Sequence, residues 1–393
     1  MLENVIKSGK CYGCKLCQSI CPHEAISFIE DETGFTYPSI DAQKCTFCGT
    51  CEKSCIANSS VERRAGKQEY AAKYNVEDVL QNSSSGGLFS ALSDWIIVRK
   101  KGTAWGCIYE NHAAKIVCAR SGEERDQMCG SKYVQSDMGT CYQQIATQLK
   151  QGLYVMFSGT PCECAAIKQY MNSCNVNSSR LYIMDFICHG SPSPGLFRQY
   201  CEWLEKCYHG RITEYRFRTR LLKGNSNQNA WASFNNGCQY LMPSSLDPFY
   251  QAFHNSQTLR ESCYQCEFTT TERVSDITVA DMNDREYRGQ GISHVIVNTD
   301  KGEIWLNHIS NLLSLKSYSS YGQLQPQMKY PAARPESRGR KGWLNRQSSE
   351  CCLNVAGTEK RVEKIIILEK AICKLHLFSC FLTLLNLLKK VKI

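Results

Sequence analysis

The sequence predicts three parts: a small α+β domain over residues 1–60, an α/β domain with a mainly parallel sheet over residues 70–345, and a helical tail over residues 346–393. Two regularly spaced cysteine runs predict the first part. Short apolar runs that alternate with segments of helical periodicity predict the second. An apolar stretch that ends in three lysines predicts the tail helix.

The small domain contains eight cysteines in two runs with the same spacing. Each run reads C-x2-C-x2-C-x3-C, followed by Pro22 in the first run and by Ile56 in the second. This spacing is typical of ferredoxins that hold two [4Fe-4S] clusters, in which the fourth cysteine of each run binds the other cluster. A zinc or disulfide-linked module would instead need C-x2-C pairs. The ferredoxin pattern predicts ligand sets of Cys11, Cys14, Cys17 and Cys55, and of Cys45, Cys48, Cys51 and Cys21.

Composition and charge indicate a cytoplasmic location and argue against nucleic acid as a partner. The chain of 393 residues has 25 cysteines and no apolar segment ahead of the first run, so we expect an anaerobic cytoplasm. Of the net charge of +9, residues 331–393 contribute thirteen Lys and Arg against five Glu. No nucleic-acid-binding pattern accompanies this charge, so nucleic acid is not an expected partner. The tail helix would lie on the inner membrane surface, dock on a partner protein or pack on its own domain.

A turn and a helix follow the polar linker near residues 59–70. Apolar residues recur at helical spacing in NSSSGGLFSALSDW, and the helix starts at Ser84, Ser85, Gly86 and Gly87. Small residues and unbonded amides at a helix start favour an anion, such as the phosphates of a dinucleotide. The alternative is an N-cap serine followed by a glycine turn.

Two cysteines each follow a predicted buried strand of the α/β domain. The runs LYVMF, at 153–157, and LYIMDFI, at 181–187, flank a predicted helix and therefore form a βαβ unit. Because both strands end at the same edge of the sheet, Cys162 and Cys188 should lie near each other.

A C-x2-C pair, Cys263 and Cys266, precedes another predicted strand at residues 276–280. If its loop folds over the sheet edge, four thiolates converge there and could bind a third [4Fe-4S] cluster or a zinc ion. The alternative is four unrelated cysteines, since buried thiols are common.

The order of the motifs resembles that of one family. The chain contains, in sequence, CYGCKLCQSICP, CTFCGTCEKSC, NSSSGGLFSAL, SKYVQSDMG, FSGTPCECAA, ICHGSPSP, LRESCYQC and SDITVADM. This order resembles the coenzyme F420 hydrogenase/dehydrogenase beta-subunit family, in the form with a fused N-terminal ferredoxin. The resemblance implies an FAD-binding α/β domain with its own [4Fe-4S] cluster. On matching positions it implies the cluster ligands Cys162, Cys188, Cys263 and Cys266, and the flavin contacts Ser84, Ser85, Gly86, Gly87, Lys132 and Tyr133.

The resemblance implies a flavin-dependent iron–sulfur oxidoreductase. It would pass electrons between ferredoxin-type clusters and a hydride acceptor or donor through FAD, because flavin can store two electrons. The small molecule would be coenzyme F420 or another compound, and the redox partner a ferredoxin or a dehydrogenase or hydrogenase subunit. The alternative is a non-catalytic electron-transfer subunit that serves a larger complex or a neighbouring biosynthetic enzyme, and a redox sensor is a third class.

Three further residues bear on the chemistry of this site. Lys132 would place a positive charge near the flavin, or else form an ordinary surface or salt-bridged contact. His189 would donate protons or orient a neighbouring ligand. Many family members continue the aspartate after the ITVA-like strand with an aromatic residue and a glycine, whereas ADMNDREY retains only Asp281. This departure allows an acceptor other than coenzyme F420.

Overall fold

The computed structural model describes residues 2–219, 229–282, 284–287 and 290–319. The predicted tail over residues 346–393 lies outside these described residues, and so does the end of the predicted α/β domain. Among the described helices, none is long and apolar enough to cross a membrane.

The described strands belong to four sheets. They are β1 (Ile26–Glu30), β2 (Thr36–Ile40), β3 (Arg64–Ala65), β4 (Gln68–Tyr74), β5 (Thr103–Glu110), β6 (Ala113–Ala119), β7 (Ser136–Asp137), β8 (Val155–Gly159), β9 (Leu181–Phe186), β10 (Ile212–Arg216), β11 (Asn229–Phe234), β12 (Gln239–Pro243), β13 (Glu272–Arg273), β14 (Ile277–Asp281), β15 (Ser293–Val297) and β16 (Leu313–Tyr318).

The described helices are mostly short. They are α1 (Leu2–Lys7), α2 (Leu16–Ile20), α3 (Thr50–Lys53), α4 (Glu77–Asn82), α5 (Leu88–Asp94), α6 (Gly122–Asp126), α7 (Cys141–Lys150), α8 (Pro161–Ser173), α9 (Pro194–Tyr208), α10 (Pro248–His254) and α11 (Asp300–Ile309). A π-helical turn, Trp95–Arg99, extends α5.

The two cysteine runs share one backbone conformation. Positive φ angles occur two and four residues after the first cysteine of each run, at Gly13 (68°) and Lys15 (60°) and again at Phe47 (55°) and Gly49 (74°). A short helix follows in both runs, α2 in the first and α3 in the second. The antiparallel β1–β2 hairpin lies between the runs. The repeated spacing therefore produces a repeated local structure.

The large sheet has nine strands in the order β16-β4-β15-β14-β9-β8-β5-β6-β7. Its centre, β14-β9-β8-β5, is parallel, and β6 and β7 form a short parallel pair. The pairs β14–β15, β15–β4, β4–β16 and β5–β6 are antiparallel. The predicted α/β architecture is thus confirmed with its parallel centre, whereas the flanks contain antiparallel pairs that local patterns do not predict.

Helices cover both faces of this sheet, and α8 begins directly at the carboxyl end of β8. In β8, Val155 and Phe157 pack against α7 and α8, whereas Met156 packs with α5 and α11. All three side chains are buried, which explains the unbroken apolar run. At the end of β8, Thr160 and Glu163 form a capping box that starts α8. The first turn of α8 is therefore held at the carboxyl edge of the sheet.

A three-stranded antiparallel sheet, β10-β11-β12, packs with α9 and α10 around a separate core. The hydroxyls of Tyr200 and Tyr240 both donate to the buried carboxylate of Asp247, each at 2.6 Å. These bonds offset the cost of burying the carboxylate. Local patterns in the sequence do not predict this unit, because its strands are only five or six residues long.

Candidate functional site

Four cysteines of the N-terminal module form the inner group, which consists of Cys11, Cys14, Cys17 and Cys55. Burial, together with the neighbouring thiolates of Cys55 and Cys11, raises the pKa of Cys14 to about 12. Burial also raises the pKa of Cys17, with added repulsion from Cys14, Cys11 and Cys55. The structure therefore brings together the four sulfurs of the first predicted ligand set. Thiolates crowded in this way are stabilised by a bound metal cluster.

The second predicted set forms the outer group, which consists of Cys21, Cys45, Cys48 and Cys51. Burial raises the pKa of Cys51, and the thiolates of Cys21 and Cys48 add to this effect. Cys48 is exposed, and its hydrogen bond with Thr50 lowers its pKa. Cys45 is half-buried. The outer group thus lies nearer to solvent than the inner group. The thiolate of Cys51 also raises the pKa of Cys17, so the two groups adjoin each other.

The edge group lies at the carboxyl end of the parallel strands and consists of Cys162, Cys188, Cys263 and Cys266. Burial raises the pKa of Cys162 strongly, and Glu163, Cys266 and Cys188 raise it further. The backbone amide of Ser191 donates to Cys263 Sγ at 3.4 Å, which ties this cysteine to the loop after Cys188. Cys162 therefore lies near Cys188 and Cys266, and Cys263 is tied to the same loop, while cluster binding by the four cysteines stays a prediction.

Backbone amides and a hydroxyl are directed at several of these sulfurs. The amide of Ala25 donates to Cys21 Sγ at 3.4 Å, and the amide of Gly190 donates to Cys188 Sγ at 3.3 Å. Thr160 Oγ1 lies 3.2 Å from Cys162 Sγ. Among the described residues, no group of three or more His, Cys, Asp or Glu side chains is arranged to hold a single metal ion. Sulfur ligands that accept such hydrogen bonds fit a [4Fe-4S] cluster.

Tyr12 connects the inner group to the edge group. It follows Cys11 directly, and its ring packs edge-on against Phe268 with centroids 5.3 Å apart. Burial raises the pKa of its hydroxyl, and so does the proximity of Cys266 and Cys162. A single aromatic side chain therefore lies between the two groups of sulfurs.

The Ser-Ser-Gly-Gly turn is hydrogen-bonded within the protein. The amide of Gly86 donates to Ser293 Oγ at 2.8 Å, and Ser84 Oγ accepts a bond from the amide of Ser131. A Cβ atom on Gly86 would lie 2.4 Å from the carbonyl oxygen of Ala72. Gly87 has a φ of 75° at the start of α5. The glycines are thus explained by close packing against β4 and β15 and by a left-handed turn.

Lys132 and Tyr133 have separate surroundings. The Lys132 ammonium donates to the carbonyl oxygens of Met128 (2.6 Å) and Cys129 (2.8 Å), and burial lowers its pKa. It thus satisfies carbonyl groups that follow α6. The Tyr133 ring packs on Phe253 at 5.2 Å between centroids.

Two buried arginines near the edge of the sheet make contacts that the sequence does not predict. The buried guanidinium of Arg218 lies 2.8 Å from the carboxylate of Asp281, which is 39% exposed, so the retained aspartate is engaged by a cation from another element. Arg260 is 1% exposed and contacts the inner group. Arg218 lies in none of the quoted motifs, and Arg260 lies in LRESCYQC, where the spacing predicts a role for the cysteines alone; only the fold brings the two arginines to the site. His189 packs against Phe253, with ring centroids 4.9 Å apart.

A cysteine module with ferredoxin spacing, joined to an α/β domain with further cysteines at its edge, defines an iron–sulfur protein of the electron-transfer class. A family model for a 4Fe-4S dicluster domain matches residues 10–59. The model for the C terminus of the coenzyme F420 hydrogenase/dehydrogenase beta subunit matches residues 153–319. Residues 10–59 therefore match a 4Fe-4S dicluster domain and residues 153–319 match the C-terminal domain of this oxidoreductase subunit family, which confirms the resemblance.

The chain is also similar to individual proteins. The methylamine utilization ferredoxin-type proteins MauM of Methylophilus methylotrophus and Methylobacillus flagellatus are each 44% identical over 55 residues, which cover 13% of this chain and 24% of those proteins. The chain thus spans about a quarter of the length of these curated relatives. A chain of the F420-reducing [NiFe] hydrogenase complex from Methanosarcina barkeri matches in structure with 16% identity and a TM-score of 0.46. That match covers 64% of this chain and 82% of the other.

Proposed function

We propose that this protein is an iron–sulfur flavoprotein oxidoreductase with three [4Fe-4S] clusters. The inner and outer groups would hold the two ferredoxin clusters, and the edge group would hold the third. The observation that supports this most directly is the proximity of Cys162, Cys188 and Cys266 at the carboxyl edge of the parallel strands. Open α/β sheets bind their ligands at this edge.

The proposed clusters would supply one-electron storage to the chain. The outer group would exchange electrons with a partner, because Cys48 is exposed. Cys51 adjoins Cys17 of the inner group, and Tyr12 adjoins the edge group. These contacts favour a continuous connection from the protein surface to the edge of the α/β domain.

FAD, when bound, would couple these one-electron centres to two-electron hydride chemistry. The resemblance assigns its contacts to the Ser-Ser-Gly-Gly turn with Lys132 and Tyr133. Gly86 and Lys132 make hydrogen bonds within the protein that account for both residues without a cofactor. Ser84 and Ser85 are bonded within the protein as well, since Ser84 Oγ accepts from the amide of Ser131 and Ser85 Oγ donates to the carbonyl oxygen of Ile292. The Arg218–Asp281 pair would present a cation near the Tyr133 cluster of aromatic rings. The small-molecule acceptor would be coenzyme F420 or another hydride acceptor.

An anaerobic count of iron, acid-labile sulfide and flavin per chain tests this proposal. We expect about twelve irons and about one flavin in the purified full-length protein. About eight irons without flavin would leave only the ferredoxin module as a redox unit, and the three-cluster flavoprotein proposal would be wrong.

A second candidate function, an electron-transfer subunit without its own substrate, is favoured by the surface around the outer group. Phe47 is 81% exposed between Cys45 and Cys48, and Ile29 on β1 is 60% exposed. Contiguous exposed apolar surface marks contact sites for partner proteins, and Phe47, which lies within the second cysteine run, is the candidate centre of such a site. Turnover by the isolated chain with a chemical reductant would favour the enzyme, whereas activity only with a partner protein would favour the subunit.

Replacing Phe47 with asparagine should slow electron entry from a protein donor. Asparagine tolerates the φ of 55° at this position, so the fold should be retained. We expect a rate of reduction by reduced ferredoxin at least about tenfold lower, a loss of about 1.4 kcal/mol of docking free energy. Reduction by dithionite should be unchanged. The matched control is Val98→Asn, since Val98 is 63% exposed on the α/β domain, and equal rates for both variants would contradict docking at Phe47.

A further inference from the structure

Arg260 is a buried residue that is tied by its backbone to the edge group. Its amide donates to the carbonyl oxygen of Ser191 at 3.0 Å, and its own carbonyl oxygen accepts from the amide of Cys263 at 2.9 Å. Only 1% of its surface is exposed. The backbone of Arg260 therefore holds together two loops that carry edge-group cysteines.

The side chain of Arg260 extends into the N-terminal module. Nε donates to the carbonyl oxygen of Cys11 at 2.6 Å, and Nη2 donates to Cys11 Sγ at 3.5 Å and to the carbonyl oxygen of Thr36 at 2.9 Å. Nη1 donates to Gln135 Oε1 at 3.0 Å. The guanidinium also lies 4.3 Å from the centre of the Tyr37 ring. The planar guanidinium is thus fixed against the sulfur of Cys11, which is the first cysteine of the inner group.

This guanidinium differs from the other buried arginines near the site in its charge partner. Arg273 pairs with Asp185 and Arg218 pairs with Asp281, whereas Arg260 forms no ion pair with a carboxylate among the described residues. Burying an unpaired charge is costly, so a buried cation is expected to have an anionic partner. The anionic candidate in contact with it is the thiolate of Cys11 and whatever that thiolate binds.

The two cysteine runs differ at the position that Arg260 approaches. Gly13 and Phe47 occupy equivalent places and both have positive φ. A Cβ atom on Gly13 would lie 2.7 Å from Arg260 Cζ, so glycine is what allows the guanidinium to come close. Phe47 instead projects into solvent. The two runs thus share a backbone conformation at this position. They differ in their surroundings, because the buried cation Arg260 lies against Gly13 whereas the equivalent residue Phe47 is exposed.

We propose that Arg260 is a positioning residue that raises the reduction potential of the inner cluster above that of the outer cluster. The inference rests on the proposed function, which places [4Fe-4S] clusters at both groups. Reduction adds one electron and no proton to a cluster, so a fixed cation and a hydrogen bond to a ligand sulfur favour the reduced form. One electron from a reduced ferredoxin would therefore reside on the inner cluster, beside Tyr12 and the edge group.

Redox titration of the holoprotein, monitored by electron paramagnetic resonance, tests this role with Arg260→Met and Arg260→Lys. Each ferredoxin cluster gives one reduction wave in the titration. In Arg260→Met the wave of the inner cluster should shift to lower potential, whereas the wave of the outer cluster should keep its potential. We expect the equilibrium for electron sharing between the two clusters to fall at least about tenfold, which is about 59 mV for one electron. Arg260→Lys should shift the same wave less, because the ammonium retains the charge but not the planar fork.

The control is Arg63→Met, since Arg63 lies at the same domain boundary but binds Glu267 and stacks on Phe268. Its ferredoxin waves should match those of the parent protein. Unchanged waves in Arg260→Met with full iron content would overturn the inference. If Arg260→Met loses iron, the potentials of Arg260→Lys provide the test instead, and an unshifted wave in that variant also overturns the inference. Fewer than about eight irons in the parent protein would instead contradict the two ferredoxin clusters of the proposed function, on which this inference rests.

Discussion

Replacing Cys162 with alanine is expected to remove about four of about twelve irons from the anaerobically purified protein while the ferredoxin clusters remain. Cys162 adjoins Cys266 and Cys188, and it is held at the start of α8 by the capping box of Thr160 and Glu163. Removing one of four thiolates leaves a cluster with an open iron in a buried site. Iron and sulfide content, together with the paramagnetic resonance signal of the reduced protein, measures the loss.

The matched control for this variant is Cys164→Ala. Cys164 lies two residues further along α8, is fully buried, and directs its sulfur at the carbonyl oxygens of Gly159 (3.6 Å) and Met184 (3.7 Å). Its removal should leave the iron content unchanged. If Cys162→Ala retains all of the iron, or if both variants lose the same amount, a cluster at the edge group is contradicted.

The N-terminal module is the part of the molecule that the sequence predicts best. Its cysteines lie in two short runs, and the repeated spacing is accompanied by repeated positive φ angles at Gly13 and Phe47. The structure also brings Cys55 to the first run, as the ferredoxin pattern requires. Local spacing carries this information, so no knowledge of distant contacts is needed.

The α/β domain could be predicted only where neighbouring strands are linked by short connections. The βαβ unit of β8, α8 and β9 follows from its two apolar runs, and it correctly places Cys162 near Cys188. By contrast, β4 pairs with β15 and β16, which are more than two hundred residues away along the chain. Such antiparallel pairs depend on the assembled sheet, and no local pattern encodes them.

The candidate site also combines features that local sequence patterns predict with contacts that form only in the assembled fold. A glycine can indicate an approaching ligand or a close approach of the protein backbone, and the sequence cannot separate the two. At Gly86 the structure shows the carbonyl oxygen of Ala72 in that space. Arg260 is a second example, since nothing in the LRESCYQC motif indicates that its arginine reaches Cys11 across 249 positions of sequence. Long-range contacts of this kind become visible only in the folded chain.

Breaking the buried Arg273–Asp185 pair is expected to destabilise the edge of the sheet. The guanidinium lies 2.8 Å from the carboxylate, both side chains are almost fully buried, and Asp185 also accepts from Thr278. Arg273 further donates to the carbonyl oxygens of Phe268 and Phe186, so it ties the loop after Cys266 to the strand before Cys188. Loss of one partner leaves an uncompensated charge in a dry environment.

We therefore expect Asp185→Ala to lower the free energy of unfolding by about 3–5 kcal/mol. The urea midpoint of the anaerobic holoprotein, followed by circular dichroism, measures this change. The double variant Asp185→Leu, Arg273→Met should recover part of the loss, because it removes both charges and fills the space. Arg216→Met is the control, since its pair with Glu214 is about half exposed and should contribute less than about 1 kcal/mol. A loss for Asp185→Ala no larger than for Arg216→Met would mean that the buried pair does not hold the edge group in place.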